Sequence, residues 1–190
     1  NAWITDFSEW QLAADWIKPR RAEFLERFPS HLNPQALKLL NRLEETPAIA
    51  LELAQGAPTC LLHGDFHLDN ILFEPNDRPV FLDWSRPAKG SPAYNLIQTL
   101  IFMAPLEQFD QELNTYLDVF NQHAPNEVDL ETLKGWLDAE FLRAFTTSTC
   151  GIARWRPTDE RGKQIIEDTV EKVNAAAAFW GPRLKNIGSL

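Results

Sequence analysis

Apolar residues recur every three or four positions through the first 55 residues, and this spacing predicts helices. The first apolar stripe consists of Trp3, Phe7, Trp10, Ala14 and Ile17. Pro19 is expected to end this helix, because a proline inside a helix removes a backbone hydrogen bond. The opening segment is therefore predicted to be helical, with a break at Pro19.

Local capping chemistry predicts two more helices before residue 56. Asn33 followed by Pro34 is a helix-start signal, because asparagine caps free N–H groups and proline suits the first helical position. The apolar spacing continues this helix through Leu43. A shorter helix after Pro47 is predicted to reach Gln55, with a glycine just past its end.

A different pattern occupies residues 59–82. The apolar run 59–62 leads into a polar cluster, and two short apolar runs, 71–73 and 80–82, follow it. The residues between these two runs are rich in turn formers. This arrangement predicts a β-hairpin of two short strands.

Helical spacing returns after the turn at residues 90–92. One apolar stripe is formed by Leu106, Phe109, Leu113, Leu117 and Phe120, and the next by Leu130, Leu133, Leu137, Phe141 and Ala144. A last helix is predicted from about residue 159 to 179, where glycine and proline end it. The chain is thus predicted to be mainly α, of the α+β class. Residues 1–190 would form one domain in which helices surround a small β-hairpin.

The composition is that of a globular protein in a reducing compartment. With 190 residues and 44% hydrophobic content, the chain can bury a core. Cys60 and Cys150 lack C-x-x-C spacing, and no apolar run approaches the ~18–20 residues of a membrane span. The N-terminus has no basic-then-apolar pattern of a signal peptide. We therefore expect a cytoplasmic protein without a membrane partner.

The negative charge of the chain is concentrated in one segment. The formal net charge is −9, which argues against nucleic acid as a partner. Residues 106–140 contain nine acids and one base. Two interpretations stay open: solvated helix faces, or a negative wall that attracts a cationic ligand.

The candidate chemistry lies in the run H-G-D-F-H-L-D-N at residues 63–70. Symmetric pairing of the two strands sets Ile71 opposite Leu82 and leaves six residues in the loop. The same register places Asn70 opposite Asp83, and opposed residues have Cα atoms roughly 4.5–5.5 Å apart. An amide oxygen and a carboxylate at that spacing can share Mg²⁺, which takes waters and phosphate oxygens as its other ligands.

Asp65 lies in the loop before the hairpin, apart from the two candidate metal ligands. A carboxylate there can orient a substrate hydroxyl and accept its proton during phosphoryl transfer. Gly64 allows a tight backbone turn before it. Asp65 is thus the candidate catalytic residue. His63 is expected to brace the loop, and His67 to support it or to be structural.

These residues resemble the aminoglycoside phosphotransferase and choline kinase family, relatives of the protein kinases. The H-G-D run at 63–65 with Asn70 is similar to the catalytic loop of that family, and the F-L-D-W run at 81–84 to its magnesium-binding strand. The resemblance implies that Asp65 is the catalytic aspartate and that Asn70 and Asp83 are metal ligands. It also implies the C-terminal lobe of a protein-kinase-like fold.

Two departures from the family pattern mark this chain. The family commonly has an aspartate that braces the catalytic loop where Asn95 stands here, and asparagine lacks the charge-assisted part of that hydrogen bond. A complete kinase also has a glycine-rich loop over the phosphates and a strand lysine. The first 60 residues contain neither pattern. The N-terminal nucleotide-binding lobe of the same protein is therefore expected to lie outside this sequence.

The resemblance implies a kinase that transfers the γ-phosphate of ATP or GTP, with Mg²⁺, to a hydroxyl of a small molecule. The acidic segment favours a cationic acceptor, and Trp136, Asp138 and Glu140 are its candidate contacts. The 190 residues alone are expected to be inactive. Two alternatives remain open: a degenerate kinase-like binding module without catalysis, and a metal-dependent phosphoesterase that uses the G-D-x-H pattern at 64–67.

Overall fold

The computed structural model describes residues 4–7, 13–102 and 106–184, and these contain seven α-helices and five short β-strands. The helices are α1 (Ala14–Arg27), α2 (Pro34–Asn41), α3 (Thr46–Leu53), α4 (Ala93–Phe102), α5 (Phe109–His123), α6 (Leu130–Arg154) and α7 (Glu160–Trp180). The strands are β1 (Thr5–Asp6), β2 (Cys60–Leu62), β3 (Ile71–Phe73), β4 (Pro79–Phe81) and β5 (Ala88–Gly90). Helices dominate, so the predicted α+β class is confirmed. Trp3 and Trp10 of the predicted first stripe lie outside the described residues.

The chain divides into two compact units. Unit one consists of residues 1–10 and 54–140, and unit two of residues 11–53 and 141–190. The five described strands belong to unit one, whereas α1, α2, α3 and α7 belong to unit two. The candidate chemistry of residues 63–83 therefore lies entirely in unit one.

Unit two is helical and is built on large buried side chains. The rings of Phe141 and Trp180 stack with centroids 5.2 Å apart, and both side chains are buried. Asn33 joins α2 to α7, because its side-chain amide donates to the Asn174 carbonyl at 2.7 Å. It also caps α2 by accepting a hydrogen bond from the Ala36 N–H at 2.9 Å. The predicted helix start at this position is confirmed.

The prediction that Pro19 ends the first helix is wrong. α1 continues through Pro19 to its end at Arg27. The Pro19 side chain is exposed, and the Arg20 guanidinium donates to the Trp16 carbonyl at 2.9 Å. Pro19 has no N–H to donate to the Asp15 carbonyl four residues earlier, so α1 continues with one backbone hydrogen bond missing.

A three-stranded sheet in unit one leads the chain into the candidate site. β5 is its central strand, with β1 parallel on one side and β2 antiparallel on the other. The Phe7 N–H extends the pairing of β1 by donating to the Lys89 carbonyl at 2.8 Å. Phe7 thus continues a strand, and its predicted place in a helical stripe is wrong. The sequence after β2 begins with His63.

The hairpin of β3 and β4 is shifted by one residue from the predicted register. Ile71 pairs with Phe81, and the Leu82 N–H donates to the Asn70 carbonyl at 2.8 Å. The predicted pairing of Asn70 with Asp83 is therefore wrong. A shift of one residue turns side chains to the opposite face of a strand, so the hairpin register alone does not place these two side chains together.

The shift has its cause in the hairpin loop. Asp77 adopts a left-handed backbone conformation with φ of 60°, and the Glu74 N–H donates to the Arg78 carbonyl at 3.0 Å. These features close the loop before Pro79, which becomes the first residue of β4 and pairs with Phe73. Proline is tolerated as the first residue of a strand, although it is also a common turn residue.

Candidate functional site

The backbone at Gly64 is shaped by the close approach of another segment. Gly64 has a φ of 83°, and a Cβ atom built on it would lie 1.8 Å from the carbonyl oxygen of Arg86. Glycine is the residue that accepts both the left-handed conformation and this contact. The predicted tight turn before Asp65 is confirmed.

His63 is buried beneath the candidate loop, with 2% of its surface exposed. Its Nε2 donates to the Leu82 carbonyl at 2.6 Å, and its ring centroid lies 4.6 Å from that of Trp84. Because Nε2 carries the proton, Nδ1 is an acceptor in the neutral ring, and it has no hydrogen-bond partner. His63 therefore ties the loop to the segment that precedes Asp83.

The Asn70 side chain holds the other end of the loop. Its Nδ2 donates to the Asp65 carbonyl at 2.9 Å and to the Nε2 of His67 at 3.1 Å. The same His67 nitrogen lies 3.8 Å from the Asp65 Oδ1. The structure thus brings Asp65, His67 and Asn70 together. The Asn70 amide oxygen takes no part in these two bonds.

Asp83 lies two residues past β4 in a left-handed conformation, with φ of 53°. Its Oδ1 accepts a hydrogen bond from the Ser85 N–H at 3.3 Å. Hydrogen bonds from the side chain and the backbone of Ser85 lower the pKa of the Asp83 carboxyl. The side chain is exposed and ionised at neutral pH, so its charge is available to a ligand.

The donor atoms of Asn70 and Asp83 suit Mg²⁺ in kind. Amide and carboxylate oxygens are hard ligands, and Mg²⁺ keeps waters and phosphate oxygens beside one or two protein ligands. In the part of the chain that the structure describes, no three His, Cys, Asp or Glu side chains form a group that could hold a metal ion.

A cavity of about 500 Å³, here called the loop cavity, borders the candidate loop. Its wall includes His63, Trp84, Asn95, Glu112 and Tyr116. The Asn95 Oδ1 is buried without a hydrogen-bond partner, like the Nδ1 of His63. The wall of the loop cavity thus contains one carboxylate, from Glu112, and two residues whose buried acceptor atoms have no hydrogen-bond partner among the described residues.

Sequence reasoning missed the side of α5 that forms this wall. Glu112, Thr115, Tyr116 and Val119 all border the loop cavity. Their spacing of three, four and seven residues places them on one helix face. That spacing was the available signal, but the stripe of larger apolar residues on the same helix was the more conspicuous one.

The three predicted acceptor contacts lie on α6, and none of them borders the loop cavity. Trp136 is 5% exposed and borders a different cavity in unit one. Glu140 is fully buried. Of the nine acids between residues 106 and 140, Glu112 borders the loop cavity. Contact of Asp138 and Glu140 with an acceptor stays a prediction.

The chain matches a profile of the phosphotransferase enzyme family, APH, over residues 2–136. It therefore belongs to this family of phosphotransferases. The match includes every residue of the candidate loop and of the hairpin, and it confirms the resemblance to aminoglycoside phosphotransferases and choline kinases.

Among curated proteins, the probable acyl-CoA dehydrogenase IBR3 of Arabidopsis thaliana is 29% identical to this chain over 99 residues. The alignment covers 51% of this chain and 12% of the plant protein, so the chain matches a small part of that relative's length. No solved structure matches the chain. Within the described ranges, no helix is both long and apolar enough to cross a membrane.

Proposed function

We propose that unit one is the catalytic and metal-binding part of a small-molecule kinase, in the C-terminal lobe of a protein-kinase-like fold. ATP or GTP would be the phosphate donor, and Mg²⁺ the metal. The observation that carries this proposal is the contact cluster of Asp65, His67 and Asn70, in a chain of the phosphotransferase family. The glycine-rich loop and the lysine would come from an N-terminal lobe of the same protein.

Asp65 acts on the acceptor hydroxyl in this proposal. Its part-exposed carboxylate orients the hydroxyl and takes its proton as the oxygen attacks the γ-phosphorus. The bond from the γ-phosphorus to the bridging oxygen breaks, and the nucleoside diphosphate leaves. The hydrogen bond from the Asn70 amide to the Asp65 carbonyl fixes the backbone that carries the carboxylate.

The oxygens of Asn70 and Asp83 would hold the metal. Bound Mg²⁺ neutralises charge on the phosphates. The lowered pKa of the Asp83 carboxyl keeps that ligand ionised, and the His63 bond to the Leu82 carbonyl holds the backbone next to it. Gly64 permits the tight turn that precedes Asp65.

The chemistry of the loop cavity suits a small acceptor molecule that carries hydrogen-bond donors, and such a molecule can be a cation. Glu112 supplies a negative charge to the wall, which favours an acceptor that carries hydrogen-bond donors. The aromatic rings of Trp84 and Tyr116 border the same space, and aromatic faces attract cations. These groups would bind the acceptor while its hydroxyl meets Asp65.

The test replaces Asp65 by asparagine in the product of the complete reading frame. Asp65→Asn removes the proton acceptor but keeps the shape of the side chain, so we expect transfer of the γ-phosphate to fall by about 10²–10⁴-fold. Asp69→Asn is the matched control, because Asp69 is an exposed carboxylate of the same loop that has no role in the proposed chemistry. Transfer is measured with radiolabelled nucleotide and a panel of small alcohols and amino alcohols.

Two results of this experiment contradict the proposal. Normal transfer by the Asp65→Asn protein would remove Asp65 from the chemistry. An equal loss in both variants would mean that the loop responds to any change of charge. The 190-residue chain, tested beside the product of the complete reading frame, is expected to give negligible turnover.

A binding module without catalysis is the second candidate, and Asn95 favours it. Asn95 stands where the family commonly has a bracing aspartate, and its Oδ1 makes no hydrogen bond. A loop without that brace could retain ligand binding while it loses catalysis. Mg²⁺-dependent transfer by the product of the complete reading frame would eliminate this candidate.

We also propose a reducing compartment, the cytoplasm, as the location. Cys60 and Cys150 are both free thiols. Free cysteines persist in reducing compartments, whereas paired cysteines are common in secreted proteins. Fractionation of cells that express the tagged protein tests this location.

A further inference from the structure

A second cavity of unit one, here called the aromatic cavity, has a volume of about 530 Å³. Tyr116, Phe120 and Trp136 border it. The rings of Tyr116 and Phe120 stack with centroids 6.0 Å apart, and Phe120 meets Trp136 edge-on at 6.3 Å. These contacts join α5 to the start of α6 in one continuous aromatic wall.

Among the described residues that border the aromatic cavity, none is an Asp, Glu, Lys or Arg. Burial raises the pKa of the Cys60 thiol, and it raises the pKa of Tyr116 to about 12, so both groups are neutral at physiological pH. The loop cavity differs, because it has the Glu112 carboxylate in its wall.

The two cavities share part of their walls. Tyr116 and Val119 border both of them, and these residues lie three positions apart on one face of α5. The Tyr116 hydroxyl donates to the Pro92 carbonyl at 3.3 Å, so its ring is held in place between the two spaces. A ligand bound beside the candidate loop therefore has an uncharged space next to it.

We propose that the aromatic cavity binds an uncharged apolar body, alkyl or aryl, of the acceptor molecule. This inference rests on the proposed function, because it takes the acceptor hydroxyl to lie at Asp65. Each cavity is within the usual size range of small-molecule sites, ~300–1,000 Å³, and an apolar wall with a few fixed polar groups is typical of them. The acceptor class is thus an alcohol that is polar around its hydroxyl and apolar farther away.

The first test measures binding of linear primary alcohols, from butanol to octanol, to the 190-residue chain by calorimetry or NMR titration. Each methylene that leaves water for the cavity should tighten binding roughly four-fold. Affinity that does not change along the series would overturn the proposal.

A variant that fills the aromatic cavity tests whether the alcohols bind there. Ala124 borders the aromatic cavity but not the loop cavity, so Ala124→Trp should fill the first and remove the dependence on chain length. The matched control is Ala175→Trp, at an exposed position of α7 that borders neither cavity. Equal binding by both variants would contradict the assignment.

Cys60 provides a second readout that does not depend on a folded blocking variant. Its thiol borders the aromatic cavity, so octanol should slow its alkylation by a maleimide at alkaline pH, whereas butanol should do so less at equal concentration. Cys60→Ser identifies the thiol that reacts. Unchanged alkylation in saturating octanol would overturn the proposal.

A comparison of octanol binding with phosphate transfer separates this inference from the proposed function. Octanol binding without any phosphate transfer by the product of the complete reading frame would reject the kinase and leave the apolar site. Transfer to short alcohols without a chain-length effect would keep the kinase and reject the apolar site.

Discussion

Unit one exposes more of its large apolar side chains than unit two does. In unit two, Phe24, Phe141, Phe145 and Trp180 are all at most 2% exposed. In unit one, large apolar residues of the loop and hairpin region are 38–65% exposed, namely Leu61, Leu68, Leu72, Phe73, Phe81, Leu82 and Trp84. Unit two also exposes Leu37, Trp155 and Ile165, and unit one also buries residues such as Leu100 and Leu113. The difference therefore lies in the exposed apolar residues near the candidate catalytic residues of unit one.

The two units also differ in how many of their described residues have a positive φ. The described residues with positive φ are Gly56, Gly64, Asp77 and Asp83, and all four belong to unit one. Left-handed conformations are costly for residues other than glycine and tend to occur at functional sites. The positive-φ residues and most of the exposed large apolar residues therefore lie in the unit that contains the candidate site.

The largest expected effect comes from a matched pair of tryptophans. Trp180→Ala in unit two removes a side chain that is 1% exposed and stacked on Phe141, so it should lower the free energy of unfolding by about 3–5 kcal/mol. Trp84→Ala in unit one removes a side chain that is 48% exposed and should cost about 1 kcal/mol, from its hydrogen bond to the Phe81 carbonyl. Urea unfolding followed by circular dichroism measures both.

Trp84→Ala should lower phosphate transfer more than Trp180→Ala does, although it costs less stability. Trp84 contacts the His63 ring and borders the loop cavity, so Trp84→Ala should reduce transfer more than its stability loss explains. Equal stability losses for the two variants would break the comparison between the units.

The next largest effect on stability is expected from two glycine variants of unit one, whose comparison distinguishes backbone strain from a steric clash. Gly64→Ala and Gly56→Ala both place a Cβ on a left-handed residue, with φ of 83° and 81°. Each should lose about 1–2 kcal/mol of stability for that reason. At Gly56 no atom of the described residues lies within 4 Å of the new Cβ, whereas at Gly64 the Arg86 carbonyl oxygen is 1.8 Å away. Gly64→Ala should therefore cost about 1–3 kcal/mol more and displace the loop.

Phosphate transfer by the same two variants shows whether the displaced loop is the catalytic one. Gly64→Ala should abolish transfer, because the carbonyl that it meets is backbone and cannot rotate away. Gly56→Ala should keep most of it. Equal stability and activity in the two variants would mean that the approach of Arg86 does not constrain the loop.

Much of unit two could be predicted from local sequence. The Asn33 cap and the Asp159 cap each satisfy backbone N–H groups within three residues, so neighbouring residues determine where α2 and α7 begin. Pro19 was the exception, because it lies on an exposed stretch of α1 where a lost hydrogen bond is tolerated. Local rules worked where the stabilising contacts were also local.

Unit one was predictable in its motif but less so in its geometry. The H-G-D run and Asn70 identified the family, since these residues carry chemistry regardless of the exact register. The hairpin register was missed because Pro79 can serve as a turn residue or as the first residue of a strand. Strands β1 and β5 were missed because they are short and pair across a long sequence separation. The cavities were missed for a related reason, since each joins segments that are distant in the sequence.

The smallest expected effect is a difference in alkaline stability between the units. Burial raises the pKa of the Cys150 thiol in unit two from 9.0 to about 11, and that of the Tyr116 hydroxyl in unit one from 10.0 to about 12. In each case the folded pKa lies above the unfolded value, so the stabilising contribution is complete below the unfolded pKa and is lost as pH rises towards the folded one.

Unit two should therefore begin to lose this contribution from pH 9.0 upward and unit one from pH 10.0 upward. One pH unit above the unfolded pKa, the loss should be on the order of 1 kcal/mol for each group, because one pKa unit corresponds to about 1.4 kcal/mol. Urea unfolding across this range, with Cys150→Ala and Tyr116→Phe as single variants, assigns each loss to its side chain. Cys150→Ala should remove the earlier loss and Tyr116→Phe the later one. If neither variant alters the alkaline profile, burial of these two groups does not distinguish the units.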